Sequence, residues 1–354
     1  MMTHRPDSDA DATLVADSLR QFAERDGGLA RARDAKDNPR FHEDATRRAR
    51  FAEAGWFGIA VAEARGGAGM GWHETCALAA MAGRYLLPDP LIGALASAHA
   101  LSACAGDHAD RTLAALLGGD RNVTLLPDPL AADAASIIDD IADCPPGSDL
   151  LVLIEDRDEA RLVILGEQQD GLRATRQPCV DGGTLTRLSL GPAAWRQAPT
   201  LANGTPARVA FAAARDLQWL ARAAYLNGLA GAALDITLDY LRLRTQFGRA
   251  LGTFQALQHR MASCHVDLAA ARALLTEACL ARHTDRQAEA ARAAVARAGA
   301  GALRITAEAI QCHGAIGFSD EHDIGLFRRK AMAMAAPGGG ETGHLLEYAR
   351  LTER

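Results

Sequence analysis

From about Ala212 to Gly314 the chain carries three long segments with apolar residues at three- and four-residue steps. They read "ARDLQWLARAAYLNGLAGAALDITLDYLRLR", "FQALQHRMASCHVDLAAARALLTEACLARH" and "RQAEAARAAVARAGAGALRITAEAIQCHG". That spacing gives each helix an apolar stripe, and long helices joined by short loops bury their stripes in an up-down bundle. The third segment is dominated by Ala, Arg and Glu, but its period is that of a packed helix rather than a low-complexity tract. Two shorter helical pieces flank Gly338-Gly339-Gly340. The stretch from Leu217 to Leu238 shows little polar face, so we expect it to pack against another bundle in an oligomer.

The remainder divides by texture. Between Asp11 and Leu117, "LVADSLRQFAERD", "EDATRRARFAEAGW", "HETCALAAMAGRYL" and "LIGALASAHALSACA" keep the helical period, with Ala and Leu dominant. From Asp120 to Ala207 short apolar or β-branched runs take over: "NVTLLPD", "DLLVLIED", "ARLVILGE" and "TLTRLSL". Turn residues separate them, and Leu150–Glu167 reads as a hairpin around Asp156–Ala160. The expected fold is mainly α with a small β domain. Residues 1–118 form an N-terminal helical domain, 119–206 a middle antiparallel β domain, and 207–354 a C-terminal four-helix bundle.

Charge and composition remove several classes. A formal net charge of −6 argues against binding nucleic acid by neutralising phosphates. No apolar run is long enough to span a membrane, and the polar N-terminus has no signal core, so a soluble cytoplasmic protein is expected. The seven cysteines are scattered without a CxxC, and the eleven histidines form no ligand-type pair, so no metal site is expected.

Two stretches could hold a ligand. In "RTQFGRALGTFQALQHRMA" (Arg244–Ala262), a helix ends in a permanent cation whose planar fork suits a diphosphate. Phe247 and Gly248 form the turn, and Gln255 offers an amide to an adenine or ribose edge. Equally, this could be a plain helix–turn–helix corner with a solvated Arg. In "AIQCHGAIGFSDEHDIGLFRRKA" (Ala309–Ala331), Gln311 precedes Gly314 and Gly317, and three cations follow. Exposed N–H groups there could hold a diphosphate, or the glycine could simply cap the helix. A third stretch, Phe51–Gly71, has a GxGxxG look at Gly66, Gly67 and Gly69 but lacks the strand–turn–helix context and the acidic residue of a dinucleotide fingerprint.

In this order the three stretches resemble the acyl-CoA dehydrogenase family. The resemblance covers most of the chain, including the "AGW…GG.G" loop and "LLPDP" at Leu86–Pro90, and is sharpest in "RTQFG…FQ" and "Q-x-x-G-x-x-G-F". It implies FAD at a subunit interface, oxidation of an acyl-CoA thioester across Cα–Cβ, and electron delivery to an electron-transfer flavoprotein. By position, Arg244, Phe247 and Gln255 would meet the diphosphate and adenine end of FAD. Gln311, Cys312, His313, Gly314 and Ala315 would meet FAD from the neighbouring subunit, and Glu341 and Thr342 would approach the adenosine diphosphate.

The chain departs from the family where the chemistry is done. Removing a thioester α-proton needs a carboxylate within hydrogen-bond reach. The family carries that Glu just before the last helix, where Gly338 stands, or on the first long C-terminal helix, where Gln218 stands. Neither side chain can take the proton. Glu341 is a weak substitute, three residues along at a helix start, where it also complements the helix dipole. The β region is short for the family, and "LLPDPLAADAAS" replaces a segment that lines the flavin. This pattern resembles the shortened, base-lacking subunit of heteromeric acyl-CoA dehydrogenases, including those acting on steroid side chains. Three readings stay open: an FAD-dependent accessory subunit of a heterotetramer with a catalytic paralogue, a self-sufficient fatty-acyl or steroid side-chain enzyme using Glu341, and a non-catalytic assembly partner without FAD.

Overall fold

The computed structural model describes residues 6–38, 44–88, 90–141, 144–157 and 159–353. Asp89 of the "LLPDP" motif lies outside them. Among the described residues six helices come first: α1 (Pro6–Arg25), α2 (Leu29–Asp37), α3 (Ala45–Glu53), α4 (Trp72–Arg84), α5 (Leu91–Ser102) and α6 (Asp107–Leu117). The β region follows, with β1 (Val123–Leu125), β2 (Leu130–Ala131), β3 (Ser136–Ile141), β4 (Asp149–Asp156), β5 (Glu159–Leu165), β6 (Leu172–Pro178), β7 (Thr184–Leu190), the short helix α7 (Ala193–Arg196) and β8 (Thr200–Asn203). The C-terminal part holds α8 (Gly204–Leu243), the two-residue strands β9 (Thr245–Gln246) and β10 (Arg249–Ala250), α9 (Gln255–Leu280), α10 (Gln287–His313), α11 (Ile324–Ala335) and α12 (Gly340–Thr352). The chain divides into two compact units. One comprises Met1–Asp37, Cys76–Leu87 and Trp219–Arg354, and the other Asn38–Thr75 and Pro88–Gln218.

The second unit contains the β region. β4 and β5 pair antiparallel from Leu150↔Leu165 to Asp156↔Glu159, which is the hairpin expected from the alternating apolar pattern. The expectation of a purely antiparallel domain needs correcting. β1 and β2 both run parallel to β4, beside antiparallel β4–β5–β8 and β3–β7–β6 ladders. Parallel pairing demands a crossover, and the connection from β1 to β4 passes through β3 of the other sheet. Trp195 and Leu150, Val152, Val163, Leu188 and Leu190 close the core here. The Trp195 indole N–H donates to the Ala132 carbonyl at 3.1 Å, so its one polar atom is satisfied.

In the first unit α10 packs against α9, α11 and α12. Much of the apolar face that composition assigned to packing against another bundle is covered within the chain. Leu220, Ala221, Ala224, Leu226 and Leu229 of α8 are all fully buried within the chain itself. Part of that cover comes from α4, at a very close backbone approach. A Cβ at Gly83 would lie 1.9 Å from the Tyr225 carbonyl, and one at Gly228 would lie 1.8 Å from the Ala80 carbonyl, so each helix needs its glycine for the other to fit. Exposed large apolar side chains lie instead on α9, at Val266 and Leu280, and on α12, at Leu345 and Leu346.

Candidate functional site

The corner after α8 is built as a hairpin. β9 and β10 pair antiparallel around Phe247 and Gly248, whose φ angles of 52° and 79° are both left-handed. Two such residues form the turn whose twist matches a right-twisted ribbon. The Leu251 N–H donates to the Arg244 carbonyl at 2.8 Å and ties the far side of the hairpin back to the helix end. Phe247 is 87% exposed and meets Phe254 edge-on at 6.1 Å, while the Arg249 guanidinium lies 4.0 Å over the Phe254 ring. Arg244 and Gln255 are both exposed, and among the described residues the Arg244 guanidinium has no ion-pair partner.

The second stretch closes α10. His313 and Cys312 are buried, whereas Gln311, Gly314 and Ala315 face out. His313 stacks on Tyr240 with ring centres 4.3 Å apart, and its Nδ1–H donates to the Ala309 carbonyl at 2.8 Å. Burial, aided by the neighbouring His322, pushes its pKa below the ordinary value, so it packs as a neutral ring. The Tyr240 hydroxyl reaches the His313 carbonyl at 3.4 Å. Tyr240 lies one turn before Arg244 and His313 two residues after Gln311, so this stack draws the two stretches to one place. Beside it is a cavity of about 330 Å³ walled by Gln311, Gly317, Phe318, Arg328 and Arg329. Arg329 pairs with Asp320 at 2.7 Å, but its Nε is buried without a partner among the described residues.

The glycine run is different. Pro337–Gly339 forms a 3₁₀ turn in which Gly338 sits at φ 74°, and α12 starts at Gly340. A Cβ on Gly338 would come within 2.6 Å of His344 Cε1 and 3.0 Å of Trp219 Cη2. His344 is buried, accepts from Arg292 Nη1 through Nδ1 at 3.2 Å, and donates through Nε2 to the Pro337 carbonyl at 3.1 Å. That one tautomer satisfies both bonds. The ring stands edge-on to Trp219 at 4.7 Å, and Arg292 lies 4.9 Å over the same indole. Burial first, and then the Arg292 charge, lower the His344 pKa to about 4.

Comparison with known proteins identifies the scaffold that carries these three places. The acyl-CoA dehydrogenase N-terminal domain matches residues 9–106, and the acyl-CoA dehydrogenase C-terminal domain matches residues 208–350. This chain belongs to the acyl-CoA dehydrogenase family. Acyl-CoA dehydrogenase IpdE2 of Mycobacterium tuberculosis is 29% identical over 322 residues, 91% of each chain. A variant of the Tcur3481-Tcur3483 steroid ACAD superposes with a TM-score of 0.86 at 27% identity, covering 97% of this chain and 98% of that one. The ChsE4-ChsE5 complex of Mycobacterium tuberculosis gives 0.87 at 22% identity over 100% and 98%, a likeness of fold.

Set on the acyl-CoA dehydrogenase pattern, the candidate residues fall into two groups. Arg244, Phe247, Gln255, Gln311, Gly314 and Ala315 are accessible on the first unit. Cys312 and His313 turn their side chains into the core, which leaves only their backbone to face a ligand. Glu341 and Thr342 are exposed in the first turn of α12, pointing to solvent. Gln218 is buried in the second unit, where its Nε2–H donates to the Leu125 carbonyl at 3.4 Å and its Oε1 has no partner among the described residues. The sequence did not reveal Tyr240, Trp219, Arg292 or His344. Each is an ordinary helix residue whose role comes from a contact far along the chain.

Proposed function

We propose that this chain is the base-lacking subunit of a heteromeric FAD-dependent acyl-CoA dehydrogenase acting on fatty-acyl or steroid side-chain thioesters. One observation carries the reading. The position where the family holds its base is a glycine with left-handed backbone, and the space a side chain would enter is taken by His344 and Trp219. The site is thus filled rather than merely short of one carboxylate. Glu341 faces solvent from the next helix, so it gives no support to self-sufficiency.

The residues present fit the adenosine diphosphate end of FAD. Arg244 offers an unspent fork on a hairpin held rigid by the Leu251–Arg244 bond. The orphan Arg329 Nε beside Gln311 is a donor that a bound anion would satisfy. When bound, FAD supplies a hydride acceptor for the Cβ–H of the thioester. This chain would anchor its diphosphate and adenine end through Arg244 and Gln255 and reach FAD across the subunit interface through Gln311, while the partner subunit contributes the Glu that takes the α-proton. Electrons would leave to an electron-transfer flavoprotein. The Tcur3481-Tcur3483 steroid ACAD, similar to this chain over nearly its whole length, names two components and supports a paired assembly.

The deciding experiment is acyl-CoA-dependent bleaching of the flavin absorbance. The isolated chain should bleach negligibly, because general base catalysis is worth about 10²–10⁴-fold. Co-expression with a Glu-bearing paralogue should restore bleaching and raise flavin occupancy together. Rapid bleaching by the isolated chain would overturn the proposal.

A further inference from the structure

The activity proposed above uses none of the seven cysteine thiols. Five of them are pushed up in pKa chiefly by burial: Cys104 and Cys264 reach about 11, and Cys144, Cys179 and Cys312 move the same way. Such thiols stay protonated and react slowly. Cys76 and Cys279 are set apart by geometry, because their Sγ atoms lie 3.7 Å apart although 203 residues separate them. Cys76 sits on α4 and is buried, while Cys279 sits in the last turn of α9 and is half-buried. Both belong to the same compact unit.

We propose that Cys76 and Cys279 are a modification site, forming a reversible disulfide on exposure to a hydroperoxide. A disulfide bond is about 2.05 Å long, so the sulfurs need close only a short gap. The helix end gives the required slack: α9 stops at Leu280, and a turn with His283 at φ 65° follows. Cys279, the more accessible sulfur, attacks the peroxide first. Its S–O bond forms as the O–O bond breaks, leaving a sulfenic acid and releasing water or the corresponding alcohol. The Cys76 sulfur then attacks Cys279, the S–S bond forms, and the S–O bond breaks to release water. Two electrons pass from the two sulfurs to the peroxide, and both thiol protons end in the released products.

The bond would connect α4 and α9, two helices that each lie against α8. α4 rests on α8 through Gly83 and Gly228, and Arg272 of α9 lies against Gly231 of α8. A cross-link closing so long a loop removes much of the freedom of the unfolded chain, so the oxidised protein should melt higher by roughly 5 °C or more.

The test uses the full chain, treated with dilute hydrogen peroxide, alkylated, and digested without reductant. Mass spectrometry should find a Cys76–Cys279 linked peptide that disappears with dithiothreitol, while the other five cysteines are recovered alkylated. Cys76→Ser and Cys279→Ser should each abolish the linked peptide and the rise in melting temperature. Should Cys76→Ser fail to fold, Cys279→Ser carries the test, since its side chain is the more exposed. Recovery of both residues as alkylated thiols would overturn the proposal. So would oxidation of Cys279 to the sulfinic acid without a link, or random linkage among all seven.

Discussion

The Arg244 hairpin and the Gly338 turn lie in the same unit, each next to the start of a helix, and each is held by glycine in left-handed backbone. They spend their polar groups in opposite ways. At the hairpin, backbone bonds fix the shape and leave Arg244, Gln255 and Gln311 facing solvent, with a cavity alongside. At the turn, His344 uses both ring nitrogens internally, and Arg292 and Trp219 pack around it. A binding surface must keep hydrogen-bonding capacity in reserve. A place whose imidazole is spent on a neighbouring guanidinium and a backbone carbonyl has become core. On the function proposed above, this contrast is how one chain would keep the nucleotide-end features of its family without the base.

The hardest test of this contrast is to restore the missing carboxylate. Gly338→Glu should not create an active isolated chain. It should destabilise the fold by about 2–5 kcal/mol, through overpacking and left-handed strain, as read from urea unfolding midpoints. A well-folded, bleaching-competent variant would show that the turn is an open site after all.

Acid provides the next largest effect. The unfolded chain takes up a proton on His344 near the ordinary value of 6.5, whereas the folded chain resists until about 4. The associated stability is therefore complete above about pH 6.5 and is lost as the pH falls toward 4. The loss totals about 3 kcal/mol. His344→Gln keeps a donor and an acceptor without titrating, so it should flatten the slope of unfolding free energy in that window. An unchanged slope would mean that His344 is not held neutral.

At the hairpin the same kind of change should touch binding and leave stability alone. Arg244→Ala should weaken FAD retention roughly ten- to a hundred-fold, as expected for losing a charge-assisted bond of about 1.5–3 kcal/mol. Its melting temperature should match the parent. Retention after dialysis, followed by absorbance, decides this. If the chain unfolds instead, Arg244 belongs to the core and the comparison fails. Smallest of all is Glu341→Gln. An exposed first-turn acid contributes within about 0.5 kcal/mol, and bleaching by the assembled complex should be unchanged. A large loss of turnover would make Glu341 the base.

Features governed by near neighbours along the chain are legible in the amino-acid sequence. The three long C-terminal helices follow from repeats of three and four residues, and α9 and α10 begin and end within a few residues of the sequence reading. The hairpin between β4 and β5 follows from alternation around a turn, and the corner at Phe247-Gly248 from a break between helices. The absence of a carboxylate at residues 338 and 218 is a property of the sequence alone. Contacts decided the rest, and spacing does not encode them. The apolar face of α8 looks the same in sequence whether a second subunit or α4 covers it; only the backbone contact at Gly83 and Gly228, too close for a Cβ on either, shows that α4 covers part of it. β1 resembles any short strand until it pairs parallel with β4. Above all, Gly338 reads as an empty position in the sequence, and the fold fills it with His344 and Trp219, backed by Arg292 from a third helix, because a buried imidazole is stable only where donor, acceptor and ring partners converge.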